Sequence, residues 1–268
     1  MHPRCANGLG SPFYGSSAIP ADNSVPPSAG FPLNVLLIGS GLLLAANLAG
    51  MLRRRPGLEA FAGRLPAVND AGHEAFFTTL SERLTARFGQ GAAFHGPFSN
   101  WLLWLARLGP LRYAAIELTE DLFRYAATAQ CHQIAQAFVD VATRKGQMAR
   151  VVGLDGHVIA EAFYDDRWHA FDPDYGVILR REGQIMTIEE LITSPTLADE
   201  LYRGNRVGKN DLILPILARG RIVRSLPGEH LSPRTARWQR RMNVLKWLLP
   251  AAGLAVGVWL KWMAGAPA

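Results

Sequence analysis

The chain has 268 residues, of which 49% are hydrophobic and 19% are charged, and its formal net charge is +6 at pH 7. This balance excludes an intrinsically disordered chain, and the length is sufficient for one sizeable domain with additional segments. The sequence contains only two cysteines, so we expect neither a disulfide framework nor a cysteine-rich metal site.

A flexible tail and an apolar segment are predicted at the N-terminus. Residues 1–31 are rich in Gly, Ser, Pro and Ala, a composition typical of a loose tail. Residues 32–52 carry no charge and are numerous enough for a transmembrane helix. Gly41, Ala45 and Ala49 recur in it at helical spacing, which gives the helix a face of small side chains suited to a partner helix.

A signal peptide and a buried core helix are the alternatives for this apolar segment. No basic region precedes it, and Arg53, Arg54 and Arg55 follow it directly, which disfavours cleavage there. Its uninterrupted apolar length disfavours a core helix. A membrane-spanning helix is therefore the preferred interpretation.

Residues 56–232 are predicted to form one domain of the α+β class, in which helices gather around a small antiparallel sheet. Its first half is mainly helical by periodicity, and a helix begins at Cys131 and is closed by Gly146. The predicted helices cover residues 71–88, 101–108, 110–122 and 131–145.

Strands and tight turns are predicted in the second half of the domain. The turns are Asp155-Gly156 and Asp165-Asp166, and the second of them joins two strands into a hairpin. The pair Thr187 and Glu190 has the spacing of a capping box and predicts another helix. The predicted strands, some of which could be buried loop, cover residues 150–154, 158–164, 167–171, 175–179, 184–186, 213–217 and 222–223.

A second apolar segment covers residues 244–263, near the C-terminus. Lys246 and Lys261 lie near its ends, where both side chains could reach the membrane surface, and three tryptophans there suit the interface. Pro250 would kink the helix. We prefer a second transmembrane helix over a helix that lies on the membrane surface.

The distribution of arginine predicts the orientation in the membrane. Arginines follow the first apolar segment and four more, within residues 234–241, precede the second, whereas the outer ends of both segments are nearly free of Lys and Arg. By the positive-inside rule, the domain is in the cytoplasm and both termini are outside, in a membrane of the bacterial inner-membrane type. The position of this basic tract beside an apolar segment indicates lipid binding rather than nucleic-acid binding.

Cys131, His157 and Asp172 occur in this order within a stretch predicted as helix, strand and strand. A thiol, an imidazole and a carboxylate are the components of a nucleophilic site, in which the base takes the proton of the thiol and the acid orients the base. Cys131 begins its helix, and the free N–H groups there favour a thiolate and can stabilise an oxyanion. The alternative is a buried structural cysteine.

The predicted hairpin gives a geometric test of this group. With Asp165-Asp166 as a two-residue turn, Ile159 lies opposite Asp172 and His157 lies opposite Asp174. His157 and Asp172 are then diagonal neighbours on one face of the sheet, and His169 is on the other face. On this argument alone, Asp172 and Asp174 both remain candidates for the orienting acid.

The spacing of several motifs resembles the transglutaminase-like superfamily over about residues 128–177. After the cysteine helix the sequence reads Gly-x-x-Ala-Arg over residues 146–150, then His157-x-x-x-Glu161, then Trp168 followed four residues later by Asp172-Pro173. The resemblance implies a papain-like core and a Cys131–His157–Asp172 triad, and it selects Asp172 over Asp174. The sequence departs from the family pattern at Ile159, where many members have an aromatic residue.

Other polar residues near this group have less specific interpretations. Arg150 and Glu161 are expected to form a structural ion pair between neighbouring strands. His132 is expected to face another side of the helix and to be incidental. The side chain that would assist an oxyanion is unassigned, with Gln130, Trp101 and Trp104 as candidates.

The leading hypothesis is a membrane-anchored cysteine enzyme that transfers an acyl group from an amide through a thioester to water or to an amine. It predicts a protein or peptide amide substrate, contact with membrane lipid, a possible helix partner in the membrane, and no nucleic acid, metal or cofactor. The alternative hypothesis is a non-catalytic transglutaminase-like scaffold or binding module in a membrane assembly for export or biosynthesis.

Overall fold

In the computed structural model, the described residues are 30–109, 115–205 and 221–265. This part of the chain combines helices with an antiparallel sheet of five strands, so the predicted mixture of helix and sheet is confirmed. The predicted tail, apart from the backbone of its last two residues, and the possible strand at residues 213–217 lie outside the described residues.

The helices of the described residues occur mainly at the two ends of the chain and before the sheet. Numbered in chain order, they are α1 (Gly30–Leu52), α2 (Leu58–Ala62), α3 (Val68–Ala71), α4 (His73–Arg87), α5 (Pro97–Leu108), α6 (Thr119–Tyr125), α7 (Cys131–Arg144), α8 (Ile188–Thr193), α9 (Pro195–Tyr202) and α10 (Pro233–Gly265).

The strands are β1 (Gly89–Gln90), β2 (Thr128–Ala129), β3 (Ala149–Leu154), β4 (His157–Tyr164), β5 (Arg167–Asp172), β6 (Val177–Ile178), β7 (Arg180–Arg181), β8 (Gln184–Ile185) and β9 (Ile222–Arg224). The main sheet has the order β6-β5-β4-β3-β9, while β1 pairs with β2 and β7 pairs with β8. The β1–β2 pair is parallel, and it brings Gln90 beside Ala129, two residues before Cys131.

The β4–β5 hairpin has the predicted turn and the predicted register. Asp165 and Asp166 both have positive φ, 49° and 59°, as a two-residue type I′ turn requires. Tyr164 pairs with Arg167 and Ala160 with Phe171. The same register continued by one residue places Ile159 opposite Asp172, as the hairpin argument predicts.

The sheet is buried on both faces. On one face, α4 and α7 pack through aromatic rings, with centroids 5.7 Å apart for Phe77 and Phe138 and 5.3 Å apart for Phe138 and Phe171. On the other face, Val152, Ile159 and Ala170 pack with residues of α8 and α9 in a second buried cluster. Because β4 is covered on both sides, neither of its faces can be polar without specific partners.

The predicted helix over residues 110–122 is confirmed from Thr119 onward and wrong at residues 115–118. Ala115 forms an antiparallel bridge with Phe94, and α6 begins only at Thr119; residues 110–114 lie outside the described part. Side-chain amides hold this extended segment, since Gln133 donates to the carbonyl of Ile116 at 2.8 Å and Gln239 accepts from the N–H of Glu117 at 3.0 Å. These tertiary hydrogen bonds override the local helical period.

Two helices, residues 32–52 of α1 and the whole of α10, are long and apolar enough to cross a membrane by length and composition. They are antiparallel, since a Cβ added to Gly253 would overlap Ser40 and one added to Gly257 would overlap Leu37. The contact face of α1 includes the buried residues Ser40 and Asn47. The predicted small-residue face is therefore not this contact face, and its Ala45 is exposed.

The second apolar helix differs from its prediction in two respects. It begins at Pro233 and continues through Pro250, so the basic tract and the apolar segment form one helix. Lys246 is buried rather than extended to the membrane surface, and its Nζ donates to the carbonyl of Ser99 at 2.6 Å. The ammonium group therefore has a carbonyl partner inside the protein, which compensates for part of its desolvation.

The predicted Arg150–Glu161 ion pair is present and includes a third member. A carboxylate oxygen of the fully buried Glu161 lies 2.7 Å from Arg150 and 3.2 Å from Arg224. This carboxylate links β4 to β3 and, through Arg224, to β9. Removal of one member of such a buried group leaves charges without compensation, which is strongly destabilising.

We expect Glu161→Gln to lower the free energy of unfolding by roughly 3 kcal/mol, because two arginines then lack their carboxylate. Thermal or denaturant unfolding of the full chain in detergent measures this change. Glu182→Gln is the matched control, since Glu182 is 86% exposed and 3.7 Å from Arg181, and it should change the stability by less than about 0.5 kcal/mol. Equal stability of the two variants would contradict a structural role for Glu161.

Candidate active site

Cys131 is the first residue of α7, as predicted. Gln130 precedes it as the N-cap with extended backbone dihedrals, and its N–H donates to the side chain of Gln133 at 3.0 Å. The thiol therefore lies at the end of a 14-residue helix, where unpaired N–H groups carry partial positive charge. The residue is partly exposed, whereas His157 and Asp172 are buried.

His157 and Asp172 are in direct contact at the adjacent ends of β4 and β5. His157 Nε2 lies 2.7 Å from Asp172 Oδ2, and both side chains are buried. An ionised carboxylate only accepts hydrogen bonds, so Nε2 donates and Nδ1 remains for the thiol. His157, and not His169, is thus paired with an acid, since the ring nitrogens of His169 contact the carbonyls of Ile185 and Tyr164.

Asp172 is fixed by two further donors. The hydroxyl of Tyr202 donates to Oδ2 at 2.8 Å, and the N–H of Tyr175 donates to Oδ1 at 3.0 Å. The ring of Tyr175 also meets that of His157 edge-on, with centroids 4.6 Å apart. Both the acid and the imidazole are therefore held in one orientation, which is the role of an orienting group beside a general base.

Asp174, the other candidate acid, has a different place in the site. Cys131 Sγ, a ring nitrogen of His157 and a carboxylate oxygen of Asp174 all lie within 4.8 Å of one another. Gln90 holds this carboxylate, since its Nε2 donates to Asp174 Oδ1 at 3.0 Å. Asp174 thus lies on the thiol side of the imidazole, whereas Asp172 lies on its far side.

His132, which the sequence predicts to be incidental, also influences the thiol. Interaction with the thiol of Cys131 raises the pKa of His132, and its Nε2 lies 3.8 Å from Glu117 Oε1. The side chains of successive residues point about 100° apart around a helix axis. At the first turn of α7, however, no preceding turn lies between the side chains of Cys131 and His132. The pKa of the thiol therefore responds to two imidazoles, those of His132 and His157.

These contacts set the acidity of the thiol. Burial alone would raise the pKa of Cys131, but hydrogen bonds from His132 and His157 outweigh burial and lower the pKa to about 7. Burial would likewise lower the pKa of His157, but the charge and hydrogen bond of Asp172 and the contact with the thiol raise it to about 10. Both shifts favour the pair as a thiolate and an imidazolium.

We expect the rate of alkylation of Cys131 by iodoacetamide to rise about tenfold per pH unit below pH 7 and to level off above it, because only the thiolate reacts and its pKa is about 7. Mass spectrometry of the peptide that contains Cys131 measures the rate. The same chain unfolded in guanidinium is the control, with a midpoint near the ordinary cysteine pKa of about 8.5. A folded-state midpoint at or above the control value would contradict thiol activation.

The three atoms of Cys131, His157 and Asp174 could also act as ligands of a metal ion. A thiolate, an imidazole and a carboxylate are all zinc ligands, and three protein ligands with an open fourth position are typical of catalytic zinc sites. In the same arrangement without a metal, the imidazole and the thiol exchange a proton directly. The expected absence of a metal remains a prediction.

Several residues of the site had no signal in the sequence. Tyr202 is 30 residues from Asp172 and comes from the end of α9, and Gln90 lies in a two-residue strand. Of the candidates for oxyanion assistance, Trp101 donates its Nε1 to the carbonyl of Lys246 at 3.2 Å, so this N–H already has a partner away from the thiol. Trp104 is on the same helix, and Gln130 is exposed at the N-cap.

No protein-family model, curated protein or solved structure matches the chain. The resemblance to the transglutaminase-like superfamily therefore remains a prediction from sequence motifs. The spatial cluster of cysteine, histidine and aspartate and the two apolar helices are features of the structure itself.

Proposed function

We propose that the chain is a membrane-anchored cysteine enzyme of the transglutaminase-like type that transfers an acyl group from an amide. The observation that carries the proposal is the sequence of acid, imidazole and thiol in space, with Asp172 2.7 Å from His157 Nε2 and a ring nitrogen of His157 within 4.8 Å of Cys131 Sγ. A buried structural cysteine needs neither an imidazole partner nor an acid behind that imidazole.

The proposed reaction uses groups of this chain alone. His157 takes the proton of Cys131 through Nδ1, and the thiolate attacks the amide carbonyl to form a carbon–sulfur bond. The N–H groups at the start of α7 stabilise the oxyanion of the tetrahedral intermediate. As the carbon–nitrogen bond breaks, the imidazolium returns its proton to the departing amine, which leaves a thioester on Cys131.

The second half of the reaction resolves the thioester. His157 takes a proton from water or from an acceptor amine, which attacks the carbonyl and releases the thiolate. Water gives protease or amidase activity, and an amine gives transamidase activity. Only the thiol of the triad is partly exposed, whereas His157 and Asp172 are buried, so the acceptor must approach from the side of the sulfur.

The proposed location is a membrane of the bacterial inner-membrane type with the domain in the cytoplasm. Two apolar helices of sufficient length support the anchoring, and their antiparallel packing supports a hairpin with the domain at one end. The orientation is proposed from the arginines that flank both helices at this end. A reporter enzyme fused to the C-terminus and active only in the cytoplasm would contradict it.

Labelling of the full chain in detergent with a chloroacetamide probe near pH 7 tests the proposal. We expect Cys131 to be labelled within minutes and identified by mass spectrometry of its peptide, because its pKa is about 7. Cys131→Ser should lose this label and keep only that of Cys5. An inert Cys131 in a folded chain would instead support a scaffold without catalysis.

A further inference from the structure

The helix α5 packs against both apolar helices. The carbonyl of Phe98 approaches Gly50 of α1 so closely that a Cβ on Gly50 would overlap it. Trp101 Nε1 donates to the carbonyl of Lys246 in α10 at 3.2 Å. The helix is thus in contact with the pair of proposed transmembrane helices through specific hydrogen bonds and close backbone packing.

The outer surface of α5 is apolar. Phe98, Leu105 and Leu108 are 43%, 47% and 71% exposed, and Phe94, just before the helix, is 40% exposed. We call these four residues the α5 apolar surface. The only charged side chain of α5 is that of Arg107, whose guanidinium lies 4.2 Å from the centroid of the Phe94 ring. Grouped exposed apolar side chains of this kind mark a contact with a membrane or another protein.

A lipid bilayer fits this surface better than a protein partner does. The helix α5 contacts α1 at Gly50 and α10 at Lys246, and beside these contacts both helices expose large apolar side chains such as Leu48 and Leu248. Tryptophan, leucine and a basic residue on one short amphipathic helix are typical of helices that lie at the membrane interface. Trp101, Trp104 and Arg107 supply that combination beside the transmembrane pair.

The segment that carries α5 is tied directly to the helix of the nucleophile. The side chain of Gln133 accepts from Ala93 N at 3.1 Å and donates to Ala93 O at 3.1 Å and to Ile116 O at 2.8 Å. Ala93 and Ile116 flank α5 in the chain, and Gln133 is buried only two residues after Cys131. One side chain therefore joins both ends of the α5 segment to the start of α7.

We propose that α5 is a third membrane-contacting element, which inserts the α5 apolar surface into the bilayer and thereby holds the start of α7 at the membrane surface. The ligand of this surface is the boundary between lipid headgroups and acyl chains. The inference rests on the proposed membrane anchoring and deepens the proposed function, since it places Cys131 where a membrane-associated substrate can reach it.

Fluorescence quenching in vesicles tests this inference. Single-cysteine variants in a Cys5→Ser, Cys131→Ser background are labelled with a nitrobenzoxadiazole dye and reconstituted in phosphatidylcholine–phosphatidylglycerol vesicles with doxyl-labelled lipids. The reporter on α5 is Leu108→Cys, with Leu105→Cys as a second reporter. Leu42→Cys of α1 is the positive control, and Leu226→Cys, on the segment after β9, is the soluble control, since these two leucines are 66% and 64% exposed.

We expect doxyl lipids to remove most of the fluorescence at Leu108→Cys, Leu105→Cys and Leu42→Cys and little of that at Leu226→Cys. Quenching at Leu42→Cys without quenching at either α5 position would overturn the inference while leaving the anchoring in place. An unquenched Leu42→Cys would overturn both. Chloroacetamide labelling of the wild-type chain in the same vesicles reports on the enzymatic proposal separately.

Discussion

Replacement of Cys131 with alanine is expected to abolish turnover and to leave the fold intact. The thiol is the only group of the protein that forms a bond with the substrate carbon in the proposed reaction, so its loss should lower kcat/KM by roughly a thousandfold or more. The side chain is small and partly exposed, so the change in stability should be within about 1 kcal/mol. Release of a chromogenic amine from a library of peptide anilides measures the activity.

Cys5→Ala is the matched control for this experiment. Cys5 is the other cysteine of the chain, and its replacement should leave both turnover and the melting temperature unchanged. If Cys131→Ala melts like the wild type and still turns over, the acyl-transfer mechanism is wrong. If Cys131→Ala loses both turnover and its melting transition, the fold itself is affected. The test is then made with Cys131→Ser, which preserves the polarity of the site.

Local sequence patterns were sufficient to predict the elements that carry the proposed triad. The cysteine helix and the Asp165-Asp166 hairpin are set by turn residues and by side-chain alternation, and both are confirmed. Because side chains alternate faces in a strand, a known turn fixes which residues share a face. For this reason the sequence alone predicts that His157 and His169 lie on opposite faces of the sheet.

The remaining residues of the site depend on contacts that local patterns do not contain. Tyr202 reaches Asp172 from a helix that packs on the far face of the sheet, and the influence of His132 on the pKa of the thiol depends on side-chain conformation at the helix end. The helix predicted from residue 110 is wrong at residues 115–118 for the same reason, since the buried amides of Gln133 and Gln239 hold Ile116 and Glu117 in extended form.

The membrane segments show a similar division. Length and hydropathy identify both helices, because the thickness of a bilayer sets the number of residues. The face through which they pack was predicted from small residues, but it is determined by close contacts such as that of Gly253 with Ser40. The burial of Lys246 depends on Ser99, which is in a different helix. The sequence of the apolar segment alone does not contain this contact.

Asn substitutions of the two aspartates should separate their roles by the sign of their effects. Asp172→Asn removes the charge that raises the pKa of His157, so less imidazolium is present to stabilise the thiolate and the pKa of Cys131 should rise. Asp174→Asn removes a charge that itself raises the pKa of Cys131, so the pKa of Cys131 should fall. The pH midpoint of iodoacetamide alkylation measures both shifts.

The effect of Asp172→Asn on turnover is expected to be large, a loss of about 10²- to 10⁴-fold in kcat, because an orienting acid that becomes an amide no longer fixes the productive tautomer of its histidine. Asp174 lies on the other side of the imidazole, so Asp174→Asn should lower kcat much less than Asp172→Asn. Thermal unfolding of both variants controls for folding, since Asp172 also accepts from Tyr175 and Tyr202. Midpoints that move in the same direction, or a larger loss with Asp174→Asn, would assign the orienting role to Asp174 instead.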